Sequence, residues 1–284
     1  MAGEEWLRIG HKGADAIEVG NTLESFDAAV ELGVDMIELD VLRLREGKLV
    51  VAHDPEDAMQ RRPLDLLEAL DAFLEPPLDQ VSINFDLKKA GREAEFAGAI
   101  AGHGLVERSS VSSMEMESLV KLRSLEPELR LGWTYPKSTK DWTTLPWAGA
   151  AVSAGLAALR RGSHRIVPDR AVELDVDSVW VYDPVITPRL IDSVGEFGIE
   201  VVAWTVDDPD RMQELIEMGV AGICSNDPRL FPPRKDVGGE SESKSNQGKS
   251  SGNSSGKKSG KSSVKSSGES SGKNSGKSGS AKKS

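Results

Sequence analysis

Four charged side chains are placed so that they could hold a metal ion. Glu38 and Asp40 stand two residues apart in an apolar run, and Asp86 and Lys88 repeat this spacing. Residues two apart on a strand point to the same side, so each pair would present two charges on one face. Three buried carboxylates with one ammonium are short of positive charge. A divalent cation would correct the deficit, and oxygen ligands favour Mg²⁺ or Ca²⁺. The alternative is pairing with nearby Lys or Arg, or a solvated rim.

Two histidines could add acid–base chemistry. His11 and His53 each close a short apolar run, and an unperturbed imidazole titrates near neutral pH. Each could equally be an ordinary hydrogen-bonded residue at a strand or hairpin end. With a metal and a lysine, this set suits phosphodiester cleavage better than acyl transfer. Residues 1–237 contain no GxSxG motif, and the one cysteine, Cys224, has no obvious basic partner.

Short apolar runs alternate with amphipathic segments along the chain. The pattern predicts helices near residues 22–33, 64–74, 92–103, 114–124, 146–161, 188–197 and 209–218. It predicts strands near residues 7–11, 36–41, 81–88, 109–113, 129–134, 178–182, 200–206 and 222–225. Residues 42–53 read as an additional hairpin. Eight strands alternating with helices predict an α/β fold, a (β/α)₈ TIM barrel, with an open doubly wound sheet as the alternative.

The barrel prediction brings the polar residues together. His11, Asp86 and Lys88 would lie at strand ends, and Trp204 would end the seventh strand. The carboxyl ends of barrel strands converge on one face, where active sites of this fold lie. Trp204 alone is as easily a core residue as part of a ligand pocket.

Composition divides the chain into two parts. Residues 238–284 are almost entirely Ser, Gly and Lys and contain no aromatic residue. Such a segment cannot bury enough apolar surface to fold, so we expect a disordered tail after a barrel of residues 1–237. The whole chain carries a net charge of −11; the tail, with ten Lys and three Glu, contributes +7 and leaves −18 on the barrel. An acidic body and a tail without aromatic residues make nucleic-acid binding an unexpected function.

Three observations concern the cellular compartment. A lone cysteine permits no intramolecular disulfide, which fits a reducing compartment. The first residues, MAGEEWLRIGHKG, lack the features of a signal peptide, and the chain has no run of about 18 apolar residues. We therefore expect a soluble, cytoplasmic protein.

The order of short motifs resembles the glycerophosphodiester phosphodiesterase family. The resemblance rests on HKG at 11–13, NTLESF at 21–26, IELDV at 37–41, VAHD at 51–54, FDLK at 85–88, VSSM at 111–114, VAWTV at 202–206 and GVAGICSNDP at 219–228. Each motif is weak alone, but together they span about residues 7–231 in the right order.

The resemblance implies a (β/α)₈ barrel that hydrolyses a glycerophosphodiester to glycerol 3-phosphate and an alcohol. It implies that His11 and His53 are the acid–base pair. It further implies that the carboxylates hold one divalent cation, Mg²⁺ or Ca²⁺, through Glu38, Asp40 and Asp86. Lys12 and Lys88 would contact the phosphate and Trp204 would line the substrate pocket.

The chain departs from the family pattern at several positions. Lys12 replaces the usual Arg, Asp86 a usual Glu, and Gly20 a common Glu. Lysine keeps the charge but loses the bidentate fork, and Asp86 has a shorter arm. Only 32 residues separate His53 from Asp86, where many members carry a longer insertion, so we expect a more open pocket.

Two further strand-end residues are exchanged relative to the family. Asp207 stands where Asn is frequent and Asn226 where Asp is frequent.

Phospholipase D toxins of the sphingomyelinase D type are also similar, in the two histidines and the Asp-x-Lys of the third strand. They keep a second hypothesis open, cleavage of lysophospholipids or related lipid diesters. A third is a barrel that binds a ligand without catalysis.

Overall fold

A computed structural model describes residues 6–137 and 149–234. Its first half contains β1 Leu7–His11, α1 Leu23–Glu31, β2 Met36–Arg43, β3 Leu49–Val51, α2 Pro55–Gln60, β4 Leu64–Asp65, α3 Leu66–Ala72, β5 Ser82–Leu87, α4 Glu93–Gly102, β6 Ser109–Ser113 and α5 Met116–Leu125. Its second half contains β7 Arg130–Tyr135, α6 Gly149–Glu173, β8 Ser178–Tyr182, α7 Pro188–Gly195, β9 Glu200–Trp204, α8 Pro209–Met218 and β10 Gly222–Ser225. The tail of residues 238–284 and the boundary at 237 lie outside the described residues and stay predictions.

Eight of the strands form a closed parallel barrel. Their order is β1-β10-β9-β8-β7-β6-β5-β2, and β1 also pairs with β2, which closes the ring. The register places His11 opposite Glu38 and Asp40 opposite Asp86. Closure confirms the predicted TIM barrel and excludes the open doubly wound sheet.

Alternation along the strands separates two apolar cores. One set of side chains, including Ile37 and Phe85, packs outward against the helices. The other set forms a small cluster inside the barrel that contains Ile9, Trp180 and Cys224. Successive strand residues face opposite sides. The inward positions that follow this inner cluster toward the carboxyl ends of the strands are therefore His11, Glu38 and Asp86. The inner apolar cluster thus lies beneath a polar layer at the carboxyl ends of the strands.

Local capping explains the turn from β1 into α1. The Thr22 hydroxyl accepts a hydrogen bond from the Ser25 backbone N–H at 3.2 Å, and the Ser25 hydroxyl accepts one from the Thr22 N–H at 3.3 Å. This reciprocal capping box satisfies two N–H groups that the helix leaves unpaired. At the other end Gly33 has φ +76°, a left-handed conformation that favours glycine. Both ends of the predicted helix are therefore confirmed.

The hairpin after β2 is also confirmed, with additions. The end of β2 pairs antiparallel with β3, and β4 extends this small sheet by two residues. Helix α2 was not expected because its six residues are too few to show a period. Helix α3 begins at Leu66, two residues later than predicted, because Leu64–Asp65 pairs with β3 and Asp65 caps the helix.

The largest difference lies in α6. The pattern predicts a helix that ends at residue 161, whereas α6 continues through Gly162 to Glu173. Its last turns are held by tertiary packing, since Val167 and Ala171 are fully buried in the outer core. Burial of these side chains offsets the low helix propensity of glycine. The predicted residues 146–148 lie outside the described part of the chain.

Among the described helices, none combines the length and apolar character needed to cross a bilayer. The cytoplasmic location stays a prediction.

Candidate active site

Three buried carboxylates meet at the carboxyl ends of β2 and β5. One oxygen from each of Glu38, Asp40 and Asp86 lies within 4.8 Å of the other two. All three residues are buried, and Asp40 is fully so. The parallel register of β2 and β5 explains the meeting, because Asp40 is paired with Asp86 and Glu38 precedes Asp40 by two residues. The shorter arm of Asp86 therefore does not remove it from the group.

Lys88 and two polar side chains hold the carboxylates in place. The Lys88 ammonium lies 2.6 Å from Asp40 Oδ1 and 2.5 Å from Asp86 Oδ2. The Ser112 hydroxyl donates to Asp86 Oδ1 at 3.0 Å. Buried Asn21 donates from its amide to Asp40 Oδ2 at 2.8 Å, and its amide oxygen accepts from the Asp40 backbone N–H at 3.0 Å. The sequence left open whether the carboxylates would pair with a lysine instead of meeting at a metal site. In the structure Asp40 and Asp86 pair with Lys88, and the three carboxylates also lie close together.

The site is short of positive charge. Burial and the neighbouring Asp40 carboxylate raise the pKa of Glu38 well above its usual range. Burial alone would raise the pKa of Asp40, but Lys88, and to a smaller extent His53 and His11, lower it below the usual range. Burial opposes the charge of Lys88, yet Asp40 and Asp86 raise its pKa well above normal. One ammonium is thus shared mainly by two aspartates, and Glu38 receives little compensation.

His11 ends β1 beside this group. Its Nδ1 lies 2.5 Å from Asn226 Oδ1, and its Nε2 lies 3.9 Å from Glu38 Oε2. About 20% of the imidazole remains exposed. Burial, followed by the positive charge of Lys12, lowers the pKa of His11. The ring therefore has one nitrogen tied to an amide and the other facing the carboxylates.

His53 lies on the rim, just after β3. Its Nδ1 is 3.0 Å from Asp54 Oδ2, and its backbone N–H donates to Asp57 Oδ2 at 3.0 Å. The hydrogen bond to His53 is the main reason why the pKa of Asp54 is lowered. About half of the His53 side chain is exposed. Asp54 also caps α2 by accepting from two backbone N–H groups, which fixes its carboxylate beside the ring.

Lys12 is tied to the loop after β1. Its backbone N–H donates to Glu38 Oε2 at 2.9 Å, and its ammonium contacts Asp15 Oδ2 at 3.2 Å. The other Asp15 oxygen accepts from the Gly20 N–H at 3.0 Å. A Cβ atom at residue 20 would lie 2.2 Å from this oxygen, so a larger residue would displace the carboxylate. The glycine at position 20 thus allows the Asp15–Lys12 pair to form.

Trp204 forms part of the opposite wall of the barrel mouth. Its ring packs on the inner apolar cluster and lies 5.6 Å from the ring of Tyr182, centre to centre. The indole Nε1 of Trp204 and the buried hydroxyl of Thr134 have no hydrogen-bond partner among the described residues. Both atoms are themselves buried, so these two polar groups lie beneath the surface of the barrel mouth. Core packing and a place in the pocket are compatible roles for this tryptophan.

A cavity of about 420 Å³ opens beside Asn226, the partner of His11. It is lined by Asp15, Ala16, Asp207, Asn226, Asp227 and Leu230. Two of its carboxylates are engaged by cations: Asp15 contacts Lys12, and Asp227 contacts Arg229 at 2.7 Å. The cavity adjoins the partner of His11, but none of the eight predicted site residues lines it.

The model of the glycerophosphoryl diester phosphodiesterase family matches residues 11–64 and 75–230. This match covers most of the barrel and every predicted site residue. The chain belongs to this family. The predicted enzyme class, phosphoric diester hydrolase, is thereby confirmed.

Individual members agree with the family match. A glycerophosphodiester phosphodiesterase of Caldanaerobacter subterraneus subsp. tengcongensis is 28% identical over 257 residues, which covers 79% of this chain and 96% of the relative. A putative glycerophosphodiester phosphodiesterase structure from Galdieria sulphuraria superposes with a TM-score of 0.64 at 19% identity, covering 81% of this chain and 97% of the other. An Oleispira antarctica phosphodiesterase structure, in complex with its product sn-glycerol-3-phosphate, superposes with a TM-score of 0.58 at 20% identity and covers 78% and 94%. These structures share the barrel fold.

The structure brings all eight predicted site residues to the carboxyl end of the barrel and adds partners that received no role. The additional residues are Asp15, Asn21, Asp54, Ser112, Asp207 and Asn226. Asn21 carried a local signal, since an asparagine before a helix cap often adopts a left-handed backbone, and its φ is +61°. The partners of Ser112 and Asn226 lie on neighbouring strands that are far away in the sequence, so no local pattern identifies them.

Proposed function

We propose that this chain hydrolyses glycerophosphodiesters to sn-glycerol 3-phosphate and an alcohol, with one divalent cation and two histidines. The observation that carries the proposal is the meeting of three buried carboxylates with His11 at one barrel end, with His53 on the adjoining rim. Family membership supports the reaction. The product seen in the Oleispira antarctica structure supports the same substrate class.

The donor set fits a hard divalent cation. Glu38, Asp40 and Asp86 would hold it, because they offer only oxygen ligands and oxygen ligands suit Mg²⁺ or Ca²⁺. Asp40 Oδ1 is buried and lies 2.6 Å from the Lys88 ammonium. A carboxylate oxygen has two lone pairs, so one of them is left for a cation. When bound, the cation supplies charge stabilisation to the phosphate oxygens. The uncompensated charge of Glu38 supports the same assignment.

The two histidines differ in the partner of Nδ1, and this difference suggests their roles. His11 Nδ1 faces a neutral amide, whereas His53 Nδ1 faces the Asp54 carboxylate. A carboxylate partner stabilises a charged imidazolium better than an amide does. His11 therefore acts as the base that takes the proton of the attacking group, and His53 as the acid that protonates the leaving alcohol. The exposure of His53 suits an alcohol that departs into solvent.

The remaining predicted residues would bind and orient the phosphodiester. Lys88 already lies among the carboxylates, where its ammonium can contact a phosphate oxygen. Lys12 adds a second positive charge beside His11, held in place by Asp15. Trp204, whose ring is partly exposed, would pack against the organic part of the substrate.

The attacking group is either water or a neighbouring hydroxyl of the glycerol. A neighbouring hydroxyl would act at high effective concentration and leave a transient cyclic phosphate. Turnover in ¹⁸O-water, followed by ³¹P spectroscopy after rapid quench, separates the routes. A cyclic phosphate that is absent at every quench time would count against internal attack.

The deciding experiment compares two substrates on the same enzyme. Glycerophosphocholine and lysophosphatidylcholine are each incubated with the full chain after EDTA treatment, and then with added Mg²⁺ or Ca²⁺. Release of glycerol 3-phosphate that EDTA abolishes and one cation restores would support the proposal and identify the metal. Choline release from the lysolipid alone would assign the protein to lipid diesters. No turnover with either substrate and either cation would favour a binding barrel.

A further inference from the structure

A continuous chain of hydrogen bonds runs from Asp207 through Asn226 to His11. Asp207 Oδ2 accepts from Asn226 Nδ2 at 2.6 Å, and Asn226 Oδ1 lies 2.5 Å from His11 Nδ1. Asp207 Oδ1 accepts from the Asn226 backbone N–H and from the Ser225 hydroxyl, both at 2.8 Å. We infer that Asp207 and Asn226 are positioning residues that fix His11 in the tautomer with its proton on Nδ1. The inference deepens the proposed function and rests on it for the role of His11.

The direction of each bond follows from what its atoms can do. An ionised carboxylate only accepts, so the Asn226 NH₂ group must face Asp207. The amide oxygen of Asn226 is then turned to His11, and because this oxygen only accepts, Nδ1 must donate. The opposite tautomer would place two acceptors against each other at 2.5 Å.

The consequence reaches the other side of the ring. A neutral imidazole that carries its proton on Nδ1 has its lone pair on Nε2. Nε2 is the nitrogen that faces the carboxylate group, 3.9 Å from Glu38 Oε2. Asp207, which follows β9, and Asn226, which follows β10, thus leave Nε2 of His11 as the basic nitrogen that faces the carboxylates. Both residues act from the Nδ1 side of the ring.

This arrangement explains why Asp207 and Asn226 are exchanged together. With Asn at position 207 and Asp at position 226, the amide would donate to the carboxylate, and the carboxylate would accept from Nδ1. In both orders each hydrogen bond between residues 207, 226 and 11 joins one donor to one acceptor. The double exchange therefore keeps the proton of His11 on Nδ1. The single exchange at position 207 does not, because it places two amides in series between the Ser225 hydroxyl and His11.

The single variant D207N is expected to reverse the tautomer. The new amide oxygen at position 207 would stay with its two donors, the Ser225 hydroxyl and the Asn226 N–H. The new NH₂ group would then face the Asn226 side chain, whose amide must turn its oxygen toward it and its own NH₂ toward His11. Nδ1 would have to accept, and the proton would move to Nε2.

The test is the nitrogen spectrum of the imidazole rings in the full-length, metal-free protein. The chain has only four histidines, and the His11→Gln variant assigns the His11 signals. At a pH where the rings are neutral, long-range ¹H–¹⁵N correlations show which nitrogen carries the proton. We expect Nδ1–H in the wild type, Nε2–H in D207N, and Nδ1–H again in D207N/N226D. S225A removes a donor to Asp207 without turning the Asn226 amide, so it should retain Nδ1–H.

Kinetics give the second readout. With glycerophosphocholine, kcat should fall at least ~10-fold in D207N and recover in D207N/N226D, while KM changes little. An Nε2–H wild type, or a D207N protein with unchanged tautomer and kcat, would overturn the inference. If D207N does not fold, the wild-type tautomer alone decides. The spectra need no turnover, so a tautomer switch in a protein without phosphodiesterase activity would reject the proposed function and uphold the hydrogen-bond chain.

Discussion

Asn21 binds Asp40 through both ends of its amide, one bond to the carboxylate and one from the backbone N–H. Removing the amide leaves a buried N–H and a buried carboxylate oxygen without these partners. We expect N21A to lower the free energy of unfolding by about 1–3 kcal/mol, the usual cost of an unsatisfied buried polar group. Cation affinity should fall ~10–100-fold, as for other residues that orient metal ligands. Isothermal titration with Mg²⁺ and chemical denaturation measure the two effects.

A matched variant separates the amide from the backbone. Asn21 has φ +61°, where alanine is strained and glycine is not. N21G should lose cation affinity as much as N21A does, with a smaller loss of stability. Wild-type affinity in N21G would mean that the hydrogen bonds to Asp40 do not matter for the metal.

Neutralising the carboxylates should abolish metal-dependent turnover. E38Q, D40N and D86N each remove one charge from the group within 4.8 Å. We expect kcat/KM to fall at least ~10²-fold, since the cation contributes several kcal/mol to transition-state stabilisation. Exposed Asp192 on α7 provides the control D192N, which should retain wild-type rates. A D40N enzyme that EDTA still inhibits at wild-type concentrations would contradict the assignment.

The two histidines should be essential for turnover. H11A and H53A are each expected to reduce kcat at least ~10²-fold, the lower range for acid–base groups. H103A is the matched control, because His103 follows α4 at the opposite end of the barrel, where its ring contacts the Ala99 carbonyl and Asp71. Near-wild-type kcat in either site variant would exclude that histidine from proton transfer.

The thiol of Cys224 should be unreactive in the folded protein. It is buried in the inner cluster, and burial followed by the nearby Glu38 raises its pKa well above the usual range. A raised pKa means less thiolate at mildly alkaline pH, and the thiolate is the reactive form. Ellman's reagent should detect no thiol in buffer and one per chain in guanidinium chloride. Rapid reaction in buffer would contradict the burial.

The tail should be dispensable for turnover. The last described contacts of the body are those of Arg234, which donates to Gly33 O at 3.2 Å and pairs with Asp35 at 2.5 Å. A chain that ends at residue 237 keeps them, and we expect its melting temperature and kcat/KM to match the full chain. A chain that ends at residue 230 loses the packing of Phe231 on Trp6 and should melt at a lower temperature. A large loss of turnover in the first truncation would place the domain boundary further along the chain.

The barrel was predictable because its periodicity is local. Most strands that join the ring contain a short apolar run, although β6 has one apolar residue, Val111. Polar residues at the ends of several runs mark the mouth. The departures from prediction have other causes: α2 is shorter than two helical turns, and α6 continues through Gly162 because of tertiary burial.

The site was predictable in its ionisable groups but not in their partners. Glu38 and Asp40 are visible as charges inside an apolar run. The sequence alone could not explain the exchange of Asp207 and Asn226. The role of each residue depends on the hydrogen bond between them and on the contact of Asn226 with His11, where β10 pairs with β1. The same holds for Gly20, which is explained only by the Asp15 carboxylate next to it.

The place of His53 has a consequence for dynamics. His11 and the three carboxylates lie on strands of the closed ring, whereas His53 follows β3, a three-residue strand braced by the two residues of β4. Small peripheral units open with less free energy than the whole domain, and amide exchange detects such openings. Val51 is fully buried, whereas α2, which begins two residues after His53, has no buried residue. Protection factors should therefore drop sharply from Val51 to α2, so that the segment next to the proton donor can open while the cation ligands stay assembled.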